Sequence, residues 1–213
     1  MTDTINHHIP EAILAAYAAG TLPHVFEVVV ATHVSMCESC RAGLDAHETA
    51  GGVVLEGTGA AALSDDLRAD VLAMLDMELP ADPAKSVRKG IYPGPVMEAL
   101  KNREPRWKSL GMGVRQSILE AGPEGSLRLL YIPAGRAVPD HGHNGLEMTL
   151  VLQGSFSDET GAFGVGDLEV ADEDLEHTPV AGEGAPCICL AATDAPLKFQ
   201  TFMPRLLQPL FRI

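Results

Sequence analysis

The 213 residues carry 15 Lys and Arg against 29 Asp and Glu, a formal charge of -14, and 46% are apolar. That balance supports ordinary packed cores and argues against nucleic acid or an anionic membrane as a direct partner. No apolar run is long enough for a bilayer, and the start, Met1-Thr-Asp-Thr-Ile-Asn-His-His, lacks the basic and apolar regions of an export signal, so a cytoplasmic location is expected.

The charge is unevenly placed. Residues 1–84 hold 13 acidic and 2 basic side chains, residues 85–108 hold 2 and 7, and residues 109–213 hold 14 and 6. The change near residue 85 marks a boundary. Four cysteines fall in two close pairs, Cys37/Cys40 and Cys187/Cys189. Without an export signal, such pairs point to metal or redox chemistry.

Pro10 to Ala19 reads as a first helix, with Glu11 in its first turn, Ile13, Leu14 and Tyr17 on one face and Gly20 as its stop. A second helix is expected from about Pro23, carrying Val25, Phe26, Val29 and Val30. Its β-branched content makes a strand the competing reading. A third helix begins at Cys37 and should break at Gly51-Gly52. Ser64-Asp65-Asp66 resembles a cap, and Leu67, Val71, Met74, Leu75 and Leu79 follow at amphipathic spacing as a fourth helix.

The junction of the second and third helices carries His33-x3-Cys37-x2-Cys40. Two thiolates at this spacing reach one tetrahedral ion, and His33 lies one helical turn away. Zinc favours the N/S mixture, and a helix N-terminus favours thiolate. The fourth ligand must come from elsewhere, and His7 and His8 are both available. A redox Cys-x-x-Cys normally follows a strand, and no strand pattern precedes this one.

Pro80 to about Pro105 holds five prolines and several basic residues, and reads as a linker. Short strands follow at Val114–Leu119, Ser126–Ile132, Glu147–Gln153, Leu168–Val170, Cys187–Ala191 and Lys198–Met203. Their spacing predicts a sandwich or jelly-roll barrel. Inside this region lies Gly135-x5-His141-Gly-His143-x3-Glu147-x6-Gly154, with His177 on a later segment. Three imidazoles and a carboxylate can hold Zn, Fe, Mn or Ni. Cys187 and Cys189 share one face of a strand, as packing residues or as redox-sensing thiols.

Residues 135–154 resemble the first cupin motif at every spacing. Gly166 and His177 match the second, while Asp172-Glu173-Asp174 replaces its usual Pro-x-Gly and Ala181 stands at its closing Asn position. With the His-Cys-Cys helical segment in front, nearly the whole chain resembles the ChrR-type zinc anti-sigma factors. Ala15-Ala-Tyr-Ala-Ala-Gly-Thr-Leu22, Val138-Pro-Asp-His-Gly-His143 and Ala191-Ala-Thr-Asp-Ala-Pro-Leu197 carry that resemblance.

The resemblance implies a multidomain protein. An N-terminal all-α zinc-binding anti-sigma domain (1–84) precedes a linker (85–106) and an all-β cupin-like metal-binding sensor domain (107–213). It implies two zinc ions per chain, one on His8, His33, Cys37 and Cys40, the other on His141, His143, Glu147 and His177. It also implies a one-to-one complex with an extracytoplasmic-function sigma factor, released under singlet oxygen or related oxidants. The acidity of residues 1–84 suits a sigma factor's basic, DNA-facing surface. The competing function is a metal-dependent cupin enzyme, a dioxygenase or isomerase, with an N-terminal interaction domain.

Overall fold

The computed structural model describes residues 4–77, 85–138, 141, 142, 144–195, 198 and 199. Helix α1 (Glu11–Ala18) follows Pro10 and closes at Gly20, whose φ is 65°. There Gly20 N–H donates to Tyr17 O and Thr21 N–H to Ala16 O, both at 3.0 Å. A left-handed glycine allows this double closure. The β-branched run that could have been a strand is helix α2 (His24–Met36). Cys37 then caps helix α3 (Glu38–Glu56).

Two expectations are corrected here. Gly51-Gly52 does not break α3, which runs on to Gly57. An exposed glycine costs a helix only about 1 kcal/mol, and no proline interrupts this one. The stretch expected as a linker contains helix α5 (Gly94–Ala99), with Val96 and Met97 buried as it packs on α2. Pro95 fits its first turn, and six residues are too few to display a period. Between these lies α4 (Leu67–Met74), where Asp66 stands at the cap without a side-chain bond and no residue is buried. Leu79, expected on this helix, lies outside the described residues.

The rest is β structure. In chain order the strands are β1 (Lys108–Gly111), β2 (Val114–Gly122), β3 (Gly125–Ile132), β4 (His141–Gly142), β5 (Glu147–Gln153) and β6 (Phe156–Ser157). Then come β7 (Ala162–Phe163), β8 (Leu168–Ala171), β9 (Glu176–His177), β10 (Val180–Ala181), β11 (Cys187–Thr193) and β12 (Lys198–Phe199). A large antiparallel sheet runs β1-β2-β3-β11-β5-β8, with smaller sheets β10-β6-β7 and β12-β4-β9. Of the strand expected at Lys198–Met203, residues 200–203 lie outside the described residues.

Alternation along the strands sorts the core into two halves. Leu127, Leu129, Met148, Leu150, Leu152, Leu190 and Ala192 share one cluster with Phe26, Val29 and Val30 of α2. Ile132, Val151, Cys187 and Cys189 share the other with Phe156, Phe163 and Ala181 of the smaller sheet. Helix α2 is therefore enclosed between the large sheet and the other helices, with Val29 and Val30 both 0% exposed.

One cluster spanning helices and sheet should melt as one unit. Phe26→Ala should cost about 3–5 kcal/mol. Circular dichroism bands for helix and sheet should shift to the same lower midpoint. A helical transition that moves alone would contradict the shared core.

Candidate metal centres

The first centre is assembled by three pieces of chain. Helix α2 delivers His33 at its C-terminal end, fully buried. The α2–α3 junction delivers Cys37 and Cys40, both buried, with Cys40 N–H turned to Cys37 Sγ at 3.5 Å. The segment before α1 supplies His8, the exposed member. His33 Nε2 lies 3.3 Å from Cys40 Sγ, and His8 Nδ1 lies 3.3 Å from Cys37 Sγ and 3.6 Å from Cys40 Sγ. All four donor atoms fall within 4.8 Å of one another. A tetrahedral ion with sulfur at about 2.3 Å and nitrogen at about 2.0 Å separates its donors by about 3.5 Å, so the geometry fits.

Electrostatics favour a cation here. Burial, and then His8, push the His33 imidazole down to about 4, so it stays neutral and able to ligate. Burial pushes the Cys40 thiol up, with the Ile9 backbone opposing and Cys37 reinforcing. A divalent ion reverses that cost by binding thiolate. Of the two histidines left open by the sequence, His8 joins the cluster. His7 instead lies against Phe163, with ring centroids 4.3 Å apart, and its Nδ1 is 3.5 Å from Asp167 Oδ2.

The second centre lies in the β region. His177 on β9 is buried, and its Nδ1 meets Asp158 Oδ2 at 2.6 Å and Glu169 Oε1 at 3.3 Å. Residue 141 on β4 pairs in register with His177. Only the backbone of His141 is described, and His143 lies outside the described residues. Glu147 opens β5, where its Oε1 accepts from Thr149 Oγ1 at 3.1 Å.

Asp158 and Glu169 were not anticipated. Asp158 follows β6 in a turn, where its Oδ1 also accepts from Thr160 N–H at 2.8 Å and Gly161 N–H at 3.2 Å. Glu169 did leave a signal, as a lone acid within the apolar strand Leu168–Ala171. Burial pushes Glu169 up to about 7, with His177 opposing and Asp158 reinforcing. Burial also works to raise Asp158, but hydrogen bonds with Glu169, Thr160 and His177 outweigh it and hold the carboxyl low. For His177, burial lowers the pKa while Glu169 and then Asp158 lift it to about 9.

Cys187 and Cys189 sit together inside the β region, with sulfurs 3.4 Å apart and exposures of 0% and 1%. The Cys187 hydrogen bond, then burial, raise Cys189 well above an ordinary thiol. Neutral buried thiols are poor nucleophiles.

The two histidines set opposite pH slopes in metal-free protein. His33 is depressed to about 4 from 6.5, so below pH 6.5 the unfolded chain takes a proton that the folded chain refuses. Stability should fall from pH 6.5 toward 4. His177 is raised to about 9, so its stabilisation is complete below 6.5 and is lost as pH rises through 9. Urea midpoints of chelator-treated protein across pH 4.5–9.5 should show both flanks, flattened on the acid side by His33→Gln and on the alkaline side by His177→Gln.

Comparison with known proteins follows the same division. Residues 97–195 match the ChrR cupin-like domain. The curated anti-sigma-E factor ChrR of Cereibacter sphaeroides is 54% identical over 214 residues, covering 99% of this chain and 100% of the relative. The crystal structure of Rhodobacter sphaeroides SigE in complex with the anti-sigma ChrR matches with a TM-score of 0.80 and 53% identity, over 90% of this chain and 100% of that one. An RmlC-like cupin protein from Ralstonia eutropha is more distant, with a TM-score of 0.41 and 21% identity over 46% of this chain. The full-length relative is a regulator, which removes the footing of the enzyme alternative. With more than half of its residues shared from end to end, the chain belongs to the family of ChrR-type anti-sigma factors.

Proposed function

We propose that this chain sequesters an extracytoplasmic-function sigma factor in a one-to-one complex in the cytoplasm and frees it under singlet oxygen or related oxidants. The observation that carries the sigma reading is the likeness, over 90% of this chain, to a chain solved in complex with SigE. A physical feature supports it. Helix α4 buries nothing, and Val71, Leu72, Met74 and Leu75 stand 49–76% exposed. Val53, Val54 and Leu55 at the end of α3 are equally bare. Apolar side chains gathered on two helices in water are a docking surface. No described helix is long and apolar enough to cross a membrane.

In this reading residues 1–84 dock the sigma factor, residues 85–106 connect, and residues 107–213 sense. Zinc binds His8, His33, Cys37 and Cys40, where it ties the start of α3 to the end of α2 and to the segment before α1. A second zinc binds His141, His143, Glu147 and His177. Asp158 and Glu169 hold His177 through Nδ1, a common way to orient a ligating imidazole. Cys187 and Cys189 are assigned to packing, on the burial of both and the raised thiol pKa of Cys189. A sensing role would appear as a lost oxidant response in Cys187→Ala, Cys189→Ala.

Metal analysis of protein purified without chelator should give close to two zinc ions per chain. Cys37→Ser, Cys40→Ser should leave one, and His177→Ala should leave the other. Recovery of no zinc would sink both assignments.

A sigma-dependent reporter tests the division of labour. Val71→Asp, Leu75→Asp should raise uninduced output at least tenfold, with circular dichroism unchanged. His177→Ala should keep the reporter silent both in the dark and under light with a photosensitiser. A silent dark reporter in the α4 variant would overturn the docking surface, and normal light induction in His177→Ala would overturn the sensor.

A further inference from the structure

The segment that supplies His8 is held by the β region, and one buried carboxylate does most of the holding. Asp167, 3% exposed, lies in the turn between β7 and β8. Its Oδ1 accepts from Asn6 N–H at 2.6 Å and His7 N–H at 2.9 Å, while Oδ2 accepts from Gly164 N–H at 2.8 Å. The next residue, Leu168, donates its N–H to His7 O at 3.2 Å. Both backbone polar groups of His7 are thus fixed by residues 167 and 168, and His8 follows directly. Beneath the segment, Gly166 has φ 92°, and a Cβ there would come within 2.6 Å of Ile5. The turn and the segment are fitted to each other without slack.

The same short strand reaches the other centre. Two residues after Asp167, Glu169 meets His177 Nδ1 at 3.3 Å. A continuous path therefore runs from His177 through Glu169, along Leu168 and Asp167, to His7 and His8.

We propose that Asp167 is a positioning residue that couples the two metal centres, holding His8 on the cysteine site from the strand whose Glu169 holds His177. Release of β8 from His177 loosens the turn and His7, so the exposed ligand His8 exchanges faster while His33, Cys37 and Cys40 still retain the ion. Coupling of this kind is reciprocal, so metal retention at either centre strengthens retention at the other. The inference rests on reading His8, His33, Cys37 and Cys40 as a metal site.

Cobalt is a suitable probe in the full-length chain, because thiolate-to-cobalt absorption reports only the site that contains Cys37 and Cys40. The readout is the rate at which excess chelator removes this absorption. Loss of a residue that orients a metal ligand commonly weakens retention by about 10–100-fold. Asp167→Ala should speed cobalt loss by about tenfold or more on that scale. Asp167→Asn, which keeps Oδ1 as an acceptor, should fall between it and the parent. Asn6→Pro removes one backbone donor from a segment that is itself neither helix nor strand, and should act in the same direction even where Asp167→Ala fails to fold. Glu169→Gln should speed loss in the parent and add little in the Asp167→Asn background, the non-additivity that a shared path requires.

Unchanged cobalt loss in Asp167→Ala or Asn6→Pro would overturn the role of Asp167, as would additive effects of Glu169→Gln and Asp167→Asn. A parent protein with no thiolate–cobalt absorption at all would instead overturn the metal-site reading and the coupling with it.

Discussion

Helix α2 buries one broad face completely while His24 and Ser35 reach water, and that buried face organises the molecule. Val25, Phe26, Val29 and Val30 fall on one side of the helix as a wide apolar face, which must be covered. The large sheet covers it through Leu127, Leu129, Met148, Leu150 and Leu190, and α1, α3 and α5 approach from elsewhere. The burial term is large because every one of these side chains leaves water, at about 25 cal/mol per Å² of apolar surface. Because α2 is immobilised in this way, its last turn can present His33 with its ring fully buried.

The His8, His33, Cys37 and Cys40 cluster stands at the end of that buried helix, and its members differ in how firmly they are held. His33, Cys37 and Cys40 belong to one helix–helix junction. His8 belongs to a segment that has no element of its own and is fastened to Asp167 and Leu168. A metal ion bound by this cluster would keep its exposed fourth donor only while that anchor holds. This arrangement makes the position of His33, Cys37 and Cys40 a matter of helix packing and that of His8 a matter of contact with the β region.

The apolar exposure of α4 and of the end of α3 stands in contrast to the enclosure of α2. Val54, Leu55 and Leu75 remain more than two-thirds exposed. Under the proposed docking role, that exposure would be covered by the partner rather than by this chain. The buried carboxylate pair behind His177 shows the opposite economy. Asp158 and Glu169 share one imidazole and are satisfied entirely from within.

The helices, the Cys37–Cys40 pair with His33, and the main strands were legible because they rest on local spacing. Period-3.6 and period-two patterns, and a His-x3-Cys-x2-Cys junction, are determined within a few residues of chain. The helix α5 escaped because six residues with a proline show no period, and α3 passed Gly51-Gly52 because two exposed glycines are a weak obstacle. Spacing could not choose between His7 and His8, which are adjacent in sequence. Tertiary structure chose, by fixing both backbone groups of His7 on β8 and turning its ring to Phe163, so that His8 faces the cysteines. Asp158, Asp167 and Glu169 were likewise decided only in three dimensions. Their partners His177, Asn6 and His7 lie 8 to 161 residues away, and no local pattern encodes a hydrogen bond across such distances.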